Sequence, residues 1–179
     1  ILISTKYHCL KGNLSTWPDI INCLEQYKPT LYTKAIAWKP PPAHSLKCNI
    51  DGACRGNPDM SSYVFCIRDS QGDLVYAEAA QLGNQTNTEA EVQAIIHALK
   101  TCKDRGWKVL LETDSLGVVN YIRGIWKIPW EQLTNIENIR ILLQETNTSI
   151  SHTYREGNKK GTCTYISRAK WERTMHSNP

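Results

Sequence analysis

From residue 46 onward the apolar positions recur first with the short period of strands and then with the longer period of helices. Residues 46–53 read as a strand, Gly56-Asn57-Pro58 as a turn, and Tyr63-Val64-Phe65-Cys66-Ile67 as a second strand. Asp69-Ser70-Gln71-Gly72-Asp73 has the composition of a hairpin turn and leads through Leu74-Val75-Tyr76 into a third strand ending near Leu82. The period then changes. Between Thr88 and Arg105, the residues Val92, Ile95, Ile96, Leu99 and Cys102 fall on one helical face, and Gly106 ends that helix. Lys108–Thr113 reads as a buried strand, and Leu116, Val118, Val119, Tyr121 and Ile122 begin a second helix. Pro129 opens a third helix carrying Leu133, Ile136, Ile139, Leu142 and Leu143. Ser149–Arg155 predicts a last strand, and about Cys163 to Arg173 a last helix. The order βββ-α-β-α-α-β-α predicts a mixed α/β fold: a five-stranded mixed sheet, its first three strands antiparallel, flanked by helices.

Upstream, Thr16-Trp17-Pro18-Asp19 opens a short helical pattern with Ile20, Ile21 and Leu24 on one side, followed by a strand-like stretch from Leu31 to Trp38. Pro40-Pro41-Pro42 then stops regular structure. Residues 1–44 therefore read as an N-terminal appendage and Pro-rich linker, 45–174 as the body, and 175–179 as a tail. The apolar fraction, 41% of 179 residues, suffices for a real core in one ordinary domain. No run of about 18 uncharged apolar residues occurs, so no membrane partner is expected. The chain begins at Ile1 without a signal segment, which reads as a piece of a longer protein or a trimmed one.

Charge and cysteines sharpen this a little. The net charge of +4 permits a polyanionic partner, and the basic residues past Ile150 gather as Arg155, Lys159, Lys160, Arg168, Lys170 and Arg173 against Glu156 and Glu172. Seven cysteines, none in Cys-x-x-Cys spacing, point to reduced thiols and a cytoplasmic or nuclear protein. The Asn-x-Ser/Thr patterns at Asn13, Asn84 and Asn147 read as chance occurrences.

Three acids stand where elements meet. Asp51 ends the first strand-like run, Glu91 sits at the start of the first body helix, and Asp114 closes Val109-Leu-Leu-Glu-Thr-Asp where a strand runs into a helix. Each also has an ordinary structural explanation. Asp51-Gly52 could be a turn, Thr88-x-x-Glu91 fits a capping box, and Asp114 before Ser115 could cap a helix. Taken together, carboxylates at three junctions can converge and hold divalent metal, an arrangement suited to phosphodiester hydrolysis.

The surrounding segments carry a resemblance. Asp51-Gly-Ala-Cys-Arg-Gly-Asn-Pro, Glu89-Ala-Glu-Val-Gln-Ala-Ile-Ile-His-Ala-Leu, Glu112-Thr-Asp-Ser and His152-Thr-Tyr-Arg-Glu-Gly-Asn resemble type 1 ribonuclease H over roughly residues 38–172. They are most similar to the ribonuclease H domains of plant proteins and plant non-LTR retrotransposons, whose lead-in Trp38-Lys-Pro-Pro-Pro also matches. The resemblance implies the ribonuclease H-like fold and hydrolysis of the RNA strand of an RNA·DNA hybrid with two Mg²⁺ ions, which Mn²⁺ can replace. It implies that Asp51 bridges both ions, that Glu91 binds one, that Asp114 binds the ion on the nucleophile side, and that His152 serves proton transfer and product release. Cys54, Asn57 and Asn87 match positions that touch the minor groove of the hybrid, where 2′-hydroxyls mark RNA. Asn158, which matches a residue near the last metal ligand, is expected with Lys159 and Lys160 to bind the substrate. A reverse-transcriptase-containing polyprotein as parent and a monomeric domain are also implied. The chain departs from the family at Thr162, where the fourth metal-site acid is expected, and at Leu116, where bacterial members place a substrate-touching amide. The departure at Thr162 leaves a second reading open, a catalytically impaired module that binds hybrid or double-stranded RNA.

Overall fold

A computed structural model describes residues 16–25 and 35–161. The chain forms two compact units, residues 1–35 and 36–179. In the first, helix α1 spans Trp17–Glu25. Thr16 caps it, its hydroxyl accepting from the Asp19 amide at 3.4 Å while Asp19 Oδ2 accepts from the Thr16 amide at 3.2 Å. The division falls between Ala35 and Ile36, upstream of the expected boundary at residue 44. Trp38 and Lys39 accordingly engage the body, through Trp38 Nε1 donating to Asn49 Oδ1 (2.8 Å) and Lys47 Nζ donating to the Lys39 carbonyl (2.9 Å). Residues 35–38 have no regular structure, so the strand expected there does not form over them, and residues 31–34 lie outside the described residues.

The body is built on a five-stranded sheet in the order β3-β2-β1-β4-β5. Strands β1 (Leu46–Cys54), β2 (Asp59–Arg68) and β3 (Leu74–Gln85) pair antiparallel, as predicted. Strands β4 (Val109–Thr113) and β5 (Ser149–His152) extend the sheet from β1 in parallel. A parallel neighbour needs a crossover long enough to hold a helix. Helix α2 (Asn87–Asp104) supplies one between β3 and β4, and α3 (Leu116–Ile122) with α4 (Leu133–Glu145) the other, between β4 and β5. A 3₁₀ turn over Trp130–Gln132 precedes α4, where the sequence places Pro129.

The core lies between the sheet and these helices. Ile50, Phe65, Ile67 and Leu111 from the strands meet Val92, Ile95, Leu99, Ile136 and Ile139 from the helices, all fully buried. The 3.6-residue period seen in the sequence is thus the inner face of α2. The other side of β1 is polar. Lys47 Nζ bonds Glu112 Oε1 at 2.8 Å, Asn49 Nδ2 bonds Glu112 Oε2 at 3.2 Å, and Asn49 Nδ2 also reaches Asn158 Oδ1 at 3.2 Å. Alternation along a strand puts odd and even residues on opposite faces, which separates this network from the apolar core.

Two expected elements change. Strand β5 ends at His152, the Thr153 amide giving the last bond to the Thr113 carbonyl (2.9 Å), and Arg155–Gly161 is a short helix, α5. The last predicted helix, about residues 163–173, lies outside the described residues. No described helix is long and apolar enough to cross a membrane.

Candidate active site

The parallel ladder of β1 and β4 ends at the pair Ile50↔Thr113. Asp51 is the next residue of β1 and Asp114 directly follows the end of β4, so they stand side by side where the two strands part. The carboxyl ends of parallel strands are where open α/β sheets hold ligands. β1 itself continues to Cys54, with Asp51 opposite Val64 and Gly52 opposite Tyr63, so Asp51-Gly52 is no turn.

Glu91 reaches the same point from α2. The helix begins two residues earlier than its capping-box reading requires: Thr86 is the N-cap, accepting from the Glu89 amide (3.2 Å), and Glu89 Oε2 accepts from the Thr86 amide (2.7 Å). Glu89 fills the capping role, and Glu91 is released from it. The cap of α3 is Ser115, not Asp114. All three structural explanations for the acids therefore fail on geometry.

Gly52 makes the approach possible. A Cβ there would lie 2.4 Å from the Glu91 amide nitrogen and 2.7 Å from its Cα, inside the backbone of α2. Gly52→Ala is expected to destabilise the body by about 3 kcal/mol, since the helix must move off the strand. A urea melt checks this, and a loss below about 1 kcal/mol would show that α2 yields readily.

Ligand oxygens of Asp51, Glu91 and Asp114 all lie within 4.8 Å of one another. Asp51 and Asp114 are half-buried and Glu91 is buried. Burial first, and then the charges of Asp51 and Asp114, push the Glu91 carboxyl from 4.5 up to about 8. The Gly52 amide and the Thr113 hydroxyl pull the other way. Thr113, fully buried, donates to Glu91 Oε2 at 3.4 Å and accepts from the Ser115 amide at 3.2 Å. Asp114 Oδ1 is buried with no hydrogen-bond partner, while its Oδ2 lies 3.8 Å from Arg155 Nε. Crowded carboxylates and an orphaned buried oxygen are costly without a counter-charge. An oxygen-seeking divalent cation supplies it, so these residues fit the metal implied by the sequence.

The acids open into a cleft of about 340 Å³ that Cys54, Asn87 and Arg155 also line. The rim is pre-formed: Asn57 Oδ1 accepts from the Asn87 amide (3.1 Å), docking the β1–β2 loop on the start of α2. Asn57 and Asn87 are both exposed. Cys54 Sγ faces the Gln85 carbonyl at 3.1 Å and the Asp59 carbonyl at 3.4 Å. His152 ends β5 opposite Thr113, half-exposed, its ring edge-on to Tyr154 with centroids 5.7 Å apart. Trp126 packs edge-on against Tyr121, and Trp130 is largely exposed.

One expectation is corrected. Asn158 is 1% exposed and does not present itself to substrate. Its Nδ2 donates to the Ile50 carbonyl at 2.7 Å, one residue before Asp51, and so ties α5 to β1. The side chains of Lys159 and Lys160, and all of Thr162, lie outside the described residues. Sequence reasoning missed Thr113 and Arg155. A threonine inside a strand gives no signal, and Arg155 was assigned to the end of a strand rather than the start of a helix.

Residues 49–164 match the family described as reverse transcriptase-like. The chain belongs to that family. A ribonuclease H of Syntrophomonas wolfei is 34% identical to this member over 84 residues, which are 46% of this chain and 55% of that protein. RNase H1 of the halophilic archaeon Halobacterium salinarum superposes with a TM-score of 0.62 at 27% identity, covering 69% of this chain and 98% of that one. LC11-RNase H1, solved in complex with RNA/DNA hybrid, gives a TM-score of 0.61 at 26% identity over 70% of this chain and 99% of its own. The fold is therefore that of ribonuclease H, a five-stranded mixed sheet whose first three strands are antiparallel, as predicted. The family member described here spans just over half the length of the curated ribonucleases H it matches.

Proposed function

We propose that this chain is a metal-dependent endonuclease that hydrolyses the RNA strand of RNA·DNA hybrids, as a type 1 ribonuclease H nearest the plant and plant-retrotransposon group. The observation that carries the reading is the meeting of Asp51, Glu91 and Asp114 within 4.8 Å at an open cleft. Kinship with ribonucleases H, one of them solved with a hybrid, supports the substrate class. The motif match favours a parent protein containing a reverse transcriptase.

Asp51, Glu91 and Asp114 would hold Mg²⁺, or Mn²⁺ in its place. Two such ions supply Lewis-acid stabilisation of the charge building on the phosphate and a water of lowered pKa. The protein's own contribution is position. Gly52 lets Glu91 close on Asp51, Thr113 orients the Glu91 carboxylate, and Asn158 fixes the strand just before Asp51. Asn57 and Asn87, exposed at the rim, hydrogen-bond the minor groove of the hybrid, where 2′-hydroxyls tell RNA from DNA. His152, at the end of the neighbouring strand, moves a proton at the leaving 3′ oxygen.

The test is cleavage of a labelled RNA·DNA hybrid with Mg²⁺, with Mn²⁺ and with chelator. Metal-dependent loss of the RNA strand is the expected result. Binding without cleavage in either metal would favour the second reading, a hybrid-binding module, which Thr162 at the fourth acidic position supports. Thr162→Asp is expected to lower the Mg²⁺ concentration at half-maximal rate roughly tenfold, because an added carboxylate strengthens a hard-cation site. An unchanged Mg²⁺ titration would show that position 162 does not contribute to metal binding.

A further inference from the structure

Arg155 lines the cleft beside the three acids, its Nε 3.8 Å from Asp114 Oδ2. The two partners differ sharply in surroundings. The Arg155 side chain is 74% exposed and that of Asp114 only 13%. At that distance and exposure the pair is loose and worth little to stability. Its root is firm, however: Arg155 opens α5, and Asn158 in the same helix is clamped to the Ile50 carbonyl. A guanidinium on a fixed helix, with a long solvated side chain, can change partners without moving the backbone. Its forked donors suit phosphate at least as well as carboxylate.

We infer that Arg155 is a further substrate-binding residue, whose guanidinium exchanges Asp114 for a phosphate of the RNA strand when hybrid enters the cleft. The inference rests on the nuclease reading and adds to it a residue with two opposed effects. Against Asp114, the positive charge competes with a divalent cation for the same carboxylate. Against the hybrid, it adds a charge-assisted contact. A merely structural Arg155, one that only holds α5 in place, would support metal and hybrid together.

The test compares wild type, Arg155→Ala and Arg155→Lys. Calorimetric titration of the hybrid-free protein with Mn²⁺ is expected to show Arg155→Ala binding roughly threefold to tenfold more tightly, a modest gain because the guanidinium is exposed. KM for a labelled RNA·DNA hybrid is expected to rise roughly tenfold in the same variant, one phosphate contact being lost. Arg155→Lys, which keeps the charge, should return both values most of the way. An unchanged KM in Arg155→Ala, or weaker binding of Mn²⁺ and hybrid together, would overturn the inference while leaving the nuclease reading in place. Failure of the wild type itself to bind or cleave hybrid would sink the nuclease reading, and the phosphate role with it.

Discussion

Asp51→Asn is expected to slow metal-dependent cleavage of the RNA strand at least roughly 1,000-fold, a barrier increase of about 4 kcal/mol. Asparagine keeps the shape of the side chain and one oxygen, so packing along β1 against Val64 and Gly52 against α2 should persist. What is lost is charge. An amide oxygen is a poorer ligand for a hard cation, and the remaining acids no longer provide the same attraction. The substitution also removes one of the two charges that push Glu91 upward, so the Glu91 carboxyl should fall back toward its ordinary range. Single-turnover cleavage beside a thermal melt separates chemistry from folding. Cleavage within tenfold of wild type, with the fold intact, would remove Asp51 from the site.

The second large effect is on stability. Glu91→Gln should stabilise the metal-free protein by on the order of 2–3 kcal/mol at pH 7, raising its midpoint by roughly 5–10 °C. The sign follows from the direction of the shift. A carboxyl at about 8 in the folded protein and 4.5 when unfolded favours folding while protonated, below pH 4.5. That benefit drains away as pH climbs toward 8, because the unfolded chain ionises freely and the folded one resists. Glutamine has no such penalty and can still accept from the Gly52 amide. The gap between variant and wild type should therefore be small at pH 5 and widest near pH 8. Mg²⁺ should narrow it from the other side, because a cation that binds the folded wild type raises its stability by mass action. Melts at pH 5 and pH 8, each with and without Mg²⁺, read all four corners. A Glu91→Gln protein less stable than wild type at pH 8 without metal would mean the carboxyl is not strained by its neighbours.

These acids were legible in the sequence because each stands where a period changes, and period changes survive in a single chain. Their bland alternatives could not be dismissed there. Thr88-x-x-Glu91 and Thr86-x-x-Glu89 are both capping boxes on paper, and only the helix start chooses between them. Gly52 kept two readings open for a related reason. A glycine after aspartate reads as a turn, whereas its use is to admit the backbone of α2 at Glu91, 39 residues further along. Asn158 shows the limit most clearly. A polar residue in a basic stretch reads as surface, but its partners Asn49 and Ile50 lie more than 100 residues away in sequence, at separations of 109 and 108. Burial of that kind is decided by tertiary pairing, which local pattern does not encode. The antiparallel pairing of the first three strands was open to prediction because strands joined by short turns pair in sequence, whereas the place of β4 beside β1 is set by tertiary packing.

The most direct measurement is a crystal of this protein soaked in Mn²⁺ and examined by anomalous diffraction at the manganese edge. A peak is expected between Asp51, Glu91 and Asp114, ligated by a carboxylate oxygen from each. Manganese bound elsewhere, or no peak among these three side chains at saturating metal, would contradict it.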